Sequence, residues 1–204
     1  MNTTYEINPT KESKLPLHSP LWQEAVQGRI EQNNWKEFSY TPETTFYILN
    51  GAEGLGIKFQ TQEHPVWVQY HHFNGPVNRD SCVEIFLNFD PKNTENYINF
   101  EINAAGILQL GYGKDEQNRI KLHDINPSIF KIETEATNKG WCLKFFIPFD
   151  FILKYYPQIS KILRGNLYKC ADQSPKPHYL TWQPIQTPAP KFHVRESFGK
   201  LILK

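Results

Sequence analysis

The dominant period along the chain is two. In SCVEIFLNF the alternate set Val83, Ile85, Leu87 and Phe89 is uniformly apolar, while Cys82, Glu84, Phe86 and Asn88 are mixed. Successive side chains of a strand point to opposite faces, so this segment reads as a strand with one face in a core. NYINFEIN repeats the division, with Ile98, Phe100 and Ile102 set against Tyr97, Asn99, Glu101 and Asn103. The short turn between the two predicts antiparallel neighbours whose second face gathers Glu84, Asn88, Asn99, Glu101 and Asn103. LRGNLYKCAD divides in the same way. Arg164, Asn166, Tyr168, Cys170 and Asp172 form a polar and aromatic set, and Leu163, Gly165, Leu167 and Ala171 a small or apolar one that Lys169 interrupts.

Other aromatic and β-branched runs carry the pattern along the chain, separated by turn clusters such as FDPKNTE, KDEQN and TNKG. Among them are VWVQYHHF, ILQLGYG, FKIETEA, WCLKFFIP and FGKLILK. TTFYILN and LGIKFQTQ flank Asn50-Gly51, a pair suited to the positive φ angles of a tight hairpin turn. About ten to twelve closely spaced strands predict an all-β fold, an antiparallel β-sandwich or jelly roll with immunoglobulin-like packing. One or two short helices are expected. In PFDFILKYYPQ the residues Phe149, Ile152, Leu153 and Tyr156 fall at helical spacing, between Pro148 and Pro157. Residues 1–20, with Pro9, Pro16 and Pro20, read as an extended lead-in wrapping the surface, and residues 21–204 as a single domain.

Composition narrows the chemistry. The 204 residues carry 22 Lys+Arg against 21 Asp+Glu, a net charge of +1, with no basic block. Nucleic acid and anionic membranes bind through clustered positive charge, so neither is an expected partner. Met1 is the only methionine, which removes thioether ligation of haem or copper. Cys82, Cys142 and Cys170 lack CxxC spacing and read as buried reduced thiols. The N-terminus shows no apolar signal core, so the expectation is cytoplasmic as the sequence stands, or exported if its N-terminus was trimmed. Oligomeric state is left open.

A sheet face of carboxylates, amides, a guanidinium and aromatic rings suits sugar recognition, because hydroxyls need paired polar partners and ring C–H faces need a flat apolar plate. Trp182 lies in the proline-rich PHYLTWQPIQTPAP and is a candidate plate, followed by Tyr168 and His178, with Arg79 on the loop before Asp80. Glu84, Glu101, Asn103 and Asn166 complete the sugar-binding set, and an ordinary solvated sheet face is the competing reading. No cofactor is expected. Adjacent His71 and His72 cannot share one ion from a strand, and no HExxH occurs. Calcium finds weak candidates in Asp90, Asn93 and Glu95, beside Asn88, within NFDPKNTEN. Glu84 and Glu101, if cross-strand neighbours on the same face, would stand about 5 Å apart, the separation of retaining glycosidase carboxylates. No G-x-S-x-G, P-loop or dinucleotide-binding fingerprint is present.

DSCVEIFLNF, YINFEINAAG, RGNLYKCADQSPKPHYLTWQPI and the ending KFHVRESFGKLIL resemble family 9-like carbohydrate-binding proteins, relatives of the family 9 modules borne by xylanases. The similarity runs from about Pro20 to Leu203. It implies a DOMON-like β-sandwich, sugar binding in the service of polysaccharide degradation, and structural calcium in the xylanase modules. Those modules clamp a sugar end between two tryptophans, with a glutamate in a DS-VE segment and an arginine on the next strand. Glu84 matches the glutamate, whereas Glu101 stands at the arginine position and Val77, Asn78 and Arg79 precede Asp80. Trp182 is the candidate C-terminal plate, and Trp67 could supply the other if its loop folds inward. The expectation is therefore a non-catalytic saccharide-binding protein. The alternatives are a glycoside-active enzyme using Glu84 and Glu101, and a protein-interaction module on the same fold.

Overall fold

The computed structural model describes residues 4–204. Among them the strands run, in order, β1 (Thr4–Pro9), β2 (Gly28–Arg29), β3 (Glu43–Gly51), β4 (Gly54–Gln62), β5 (Cys82–Asn88), β6 (Tyr97–Asn103) and β7 (Leu108–Gly113). They continue with β8 (Ile120–Lys121), β9 (Glu133–Thr137), β10 (Gly140–Pro148), β11 (Ile162–Cys170), β12 (Tyr179–Thr181) and β13 (Gly199–Leu203). One α-helical turn, α1 (Phe149–Ile152), follows β10.

The strands form one curled sheet in the order β8-β7-β6-β5-β11-β13-β1-β3-β4-β10-β9, with β12 on β11 and β2 on β3. Its two limbs close over a common core. Val83, Ile85, Leu87, Ile98, Phe100 and Ile102 from β5 and β6 meet Phe46, Ile48, Ile57, Phe59, Leu143 and Phe145 from β3, β4 and β10. These are the apolar alternate sets of the sequence, so the faces of β5 and β6 were assigned in the right direction.

The expectation of a purely antiparallel fold is corrected by β1. This strand lies parallel to both neighbours, β13 and β3, and makes the sheet mixed. Its residues come from the stretch expected as a surface lead-in. The cause is local: Tyr5 and Ile7 alternate with Glu6 and Asn8 and are both buried, so the segment has a core face to contribute. An N-terminal strand can enter between two existing strands without a hairpin, which leaves parallel pairing open to it.

Three further differences have identifiable causes. The β3–β4 hairpin forms, but its turn is Ala52-Glu53, and neither Asn50 nor Gly51 has positive φ. Gly51 is required instead by close approach, since a Cβ there would lie 2.6 Å from the Ser13 backbone. VWVQYHHF is not a strand, because side chains satisfy its backbone donors. Trp67 N–H donates to Ser81 Oγ, and the Gln69 and Tyr70 N–H groups donate to the buried Asp80 carboxylate. The expected helix closes after one turn, which leaves Leu153 exposed and buries Phe151. No helix among the described residues is long and apolar enough to cross a membrane.

Candidate functional site

The polar alternate sets converge on the outer face of β6-β5-β11. Register sets Glu84 opposite Glu101, and on the other side sets Tyr168 opposite Glu84 and Cys170 opposite Cys82. A cleft of about 810 Å³ opens over this face. Glu84, Glu101, Gln109 and Cys170 line its floor, Arg119 and Lys121 stand toward β8, Asp172 and Tyr179 stand toward β12, and residues 187–193 form a wall.

That wall is held by the aromatic members of the same sheet face. Tyr168 donates its hydroxyl to the Phe192 carbonyl at 3.0 Å and stacks on the Phe192 ring at 4.3 Å. Phe86 stacks on His193 at 4.7 Å, and the Tyr97 hydroxyl lies 2.7 Å from His193 Nδ1. Trp35 Nε1 donates to the Thr187 carbonyl. Pro184, Pro188 and Pro190 restrict φ along the segment and cannot donate to a ladder. The loop is therefore clamped by rings where a strand would be clamped by backbone bonds.

Charge on the floor is unevenly distributed. Glu101 accepts from Arg119 Nη1 at 2.8 Å, from Asn99 Nδ2 at 2.8 Å and from Gln109 Nε2 at 2.5 Å. Lys121 Nζ donates to Gln109 Oε1 at 2.7 Å, which extends the network. Glu84 has far fewer donors, with the Cys170 thiol donating to its Oε1 at 3.2 Å. Burial, and next the charge of Glu101, hold the Glu84 carboxyl well above the usual carboxylate range. Burial also raises Glu101, while Arg119 pulls it back. Burial disfavours two charges side by side, and the nearby cations Arg119 and Lys121 favour Glu101, so Glu84 is the carboxyl pushed further toward its protonated form. Burial, and next Arg119 and Lys191, lower His193 to about 3, so its imidazole is neutral.

Of the eight sugar-binding candidates, Glu84 and Glu101 line the cleft. Tyr168 is fully buried beneath the Phe192 segment. Trp182, expected as an open plate, packs into the main core, edge-on to Tyr5 and Phe46 and against Gly199. Only 8% of it is exposed, because β12 ends at Thr181 and the chain turns inward there. Asn166 accepts from Gln183 N–H and donates to the Gln183 carbonyl, pinning that turn. Asn103 donates to Asp80 and the Tyr70 carbonyl, and accepts from Ala105 and Ile107 N–H, so it organises the turn after β6. Arg79 reaches the Tyr70 hydroxyl away from the cleft.

His178 is buried on the opposite side of β11. Its Nε2 accepts from Lys169 Nζ at 2.9 Å, and its Nδ1 donates to the Lys176 carbonyl. Burial, then Lys169, lowers it to about 3. This explains the interruption at Lys169 in an otherwise apolar set: Lys169 Nζ lies 3.1 Å from Glu63 Oε2, and both side chains are inaccessible. Glu63 also accepts from Trp141 Nε1 and Ser81 Oγ, so the buried carboxylate is fully partnered.

The calcium candidates do not form a cation site. The buried Asp90 carboxylate is met by donors, Asn93 Nδ2 at 2.9 and 3.0 Å and Ser160 Oγ at 3.0 Å, and Gln158 Nε2 lies slightly farther away. Burial would raise its pKa, yet those donors hold it below the usual value. The Glu95 carboxylate turns away to Arg195 at 2.5 Å. A calcium ion needs converging oxygens, and here N–H and O–H groups occupy that space.

Sequence reasoning missed Gln109, Arg119, Lys121, Tyr179, Phe192 and His193. The signal for the last two is the proline-rich TPAPKFHV, whose stiffness positions Phe192 and His193 and not Trp182. Arg119 supplies a guanidinium from the chain just before β8, although Glu101 holds the strand position where arginine was expected.

A model of carbohydrate-binding family 9 matches residues 21–203. No curated protein matches the chain. The fold is shared with a Bacteroides uniformis ATCC 8492 protein for which carbohydrate binding is inferred, at 24% identity and a TM-score of 0.87, over 100% of both chains. A family 9 module from Caldicellulosiruptor kristjanssonii, solved with cellotriose, aligns at 10% identity and a TM-score of 0.70, over 99% of this chain and 94% of that one. The same module solved with glucose aligns at 10% identity and a TM-score of 0.70, over 99% and 96%. The sheet whose polar face carries the cleft lies almost wholly within the matched residues, and the chain is a member of carbohydrate-binding family 9.

Proposed function

We propose that the cleft over Glu84 and Glu101 holds a mono- or oligosaccharide, and that the protein is a non-catalytic binding protein serving polysaccharide degradation. The observation that carries this is the pairing of a hydrogen-bonding floor with a ring-bearing wall in one cleft. Glu84, pushed toward its protonated form, can donate as well as accept, the Gln109 amide does likewise, and Arg119 and Lys121 donate, so vicinal hydroxyls of either polarity find partners. Tyr179, Phe192 and His193 offer ring faces or edges to sugar C–H groups. Family membership supports the reading, as do the glucose and cellotriose held by the C. kristjanssonii module. Affinity is modest, because ordered water is displaced for contacts of similar strength.

One observation favours an enzyme: a carboxyl with a raised pKa stands across from a second carboxylate, as in a retaining glycosidase. Against this, Arg119 and Asn99 donate to one Glu101 oxygen and Gln109 to the other, and a carboxylate held by three donors is a weakened nucleophile. Titration calorimetry with glucose, cellotriose, xylotriose and galactose tests the proposal. Saturable heat with at least one sugar, weakened at least tenfold by Glu84→Ala, is expected. No heat with any of them would overturn the reading, and turnover of chromogenic glycosides abolished by Glu84→Gln would replace it with the enzyme.

A further inference from the structure

In the cleft floor the fold sets two thiols, which the saccharide reading does not use, against Glu84, which it does. Cys82 on β5 and Cys170 on β11 are direct cross-strand partners. Strand alternation places Glu84 on the same face as Cys82, diagonal to Cys170. The two Sγ atoms and one Glu84 carboxylate oxygen all lie within 4.8 Å of one another, and all three side chains are buried. We propose that Cys82, Cys170 and Glu84 form a binding site for a thiophilic divalent cation, of the zinc or cadmium class, set into the cleft floor.

The donor set selects the ion. Two thiolates and a carboxylate prefer a borderline or soft metal and are poor ligands for calcium or magnesium. Tetrahedral zinc with bonds of about 2.3 Å to sulfur and 2.0–2.2 Å to oxygen requires ligand atoms roughly 3.5–3.8 Å apart. The Cys170 Sγ to Glu84 Oε1 distance is 3.2 Å and the other separations are within 4.8 Å, so side-chain rotation of about 1 Å or less at each atom would bring the three around an ion. Neighbouring groups do not compete strongly for the sulfurs. Cys82 Sγ lies 3.6 Å from the Val83 carbonyl and Cys170 Sγ 3.6 Å from the Asn78 carbonyl, both weak contacts. Glu84 and Cys170 border the cleft, which gives an ion a route to the three donors. Three protein ligands and one open position distinguish exchangeable sites from closed structural ones. Loading releases the two thiol protons, and any proton on Glu84, to solvent as the ion takes their place.

The test uses the full chain, reduced and stripped of metal, titrated with cadmium chloride and with zinc chloride. Uptake of one ion per chain is expected, with sulfur-to-cadmium charge-transfer absorption in the ultraviolet. Cys82→Ser and Cys170→Ser should each weaken uptake by more than the roughly 10- to 100-fold lost with an outer partner. Cys142→Ser, which alters the remaining thiol on β10, should leave uptake unchanged. A second measurement needs no variant: bound zinc should slow alkylation of Cys82 and Cys170 under mild denaturant and leave the Cys142 rate unaltered. A fully reduced chain that takes up no cadmium would overturn the site, as would a charge-transfer band that survives both substitutions or alkylation rates that zinc does not separate.

Discussion

Glu84 and Glu101 face each other across antiparallel strands, both buried, yet they receive opposite treatment from their surroundings. Glu101 is enclosed by Arg119, Asn99 and Gln109, and Glu84 meets little more than the Cys170 thiol. Burial pushes both carboxyls up, but Arg119 pulls Glu101 back, whereas the charge of Glu101 pushes Glu84 up further. That asymmetry gives the cleft floor both donors and acceptors, which is why the saccharide reading rests on it.

The asymmetry has a pH signature. A carboxyl whose pKa is raised by folding binds more protons in the native state, so stability is complete below the unfolded value and is lost as pH rises through the folded one. Glu84 therefore makes the parent less stable at pH 8 than at pH 5, apart from the contribution of other groups. In Glu84→Gln this decline should flatten, because a neutral isostere removes the buried charge. Denaturant midpoints at the two pH values measure it, and an equal decline in both proteins would refute the assignment of the proton.

At the acid end His178 and His193 act in the opposite direction. Their depressed pKa values, both about 3, mean that stability is present above the unfolded histidine value and is lost as pH falls from about 6.5 toward 3. His193→Gln should reduce that acid loss. Thermal melts between pH 6.5 and 4 would show the variant closing the gap with, or overtaking, the parent.

Arg119→Ala leaves a buried carboxylate without its cation. A cost of about 2–3 kcal/mol at neutral pH is expected, somewhat below the range for fully buried pairs because the guanidinium side chain is 16% exposed. For a chain of this size that corresponds to roughly 4–12 °C in Tm. Saccharide affinity should fall as well. A neutral effect on both would show that Arg119 does not organise the floor.

Phe192 and Trp182 separate wall from core. Phe192→Ala removes the ring stacked on Tyr168, and should cost sugar affinity at least tenfold with about 1–2 kcal/mol of stability. Trp182→Ala opens a void beside Tyr5 and Phe46 and should cost about 3–5 kcal/mol. Any folded fraction should keep its sugar affinity. Calorimetry and chemical denaturation on both variants check this, and the reverse pattern would restore Trp182 as the plate.

These residues also mark where the sequence was legible. Alternation in β5 and β6 identified which side chains face inward and put Glu84 and Glu101 on one face, because a period of two allows a single assignment once one face is apolar, while their direct opposition comes from the register. Pairings between distant segments left no comparable trace. Cys82 and Cys170 become neighbours only through the β5–β11 register, and Lys169 looks misplaced until Glu63 arrives from the end of β4. Trp182 packs inward although its segment is proline-rich, because proline density signals a stiff loop without revealing which of its residues points inward. The parallel strand β1 escaped notice because Pro9 and a polar neighbourhood obscured the short alternation of Tyr5 and Ile7.

The most direct test of the central claim is a crystal structure of the protein with whichever of glucose, cellotriose, xylotriose or galactose binds it tightest. The account predicts a sugar ring in the cleft, with hydroxyls on Glu84 and the Gln109–Arg119 network and a ring face or edge against Tyr179, Phe192 or His193. A sugar seated elsewhere, on the outer face of β3 and β4 or beside Trp182, would contradict it.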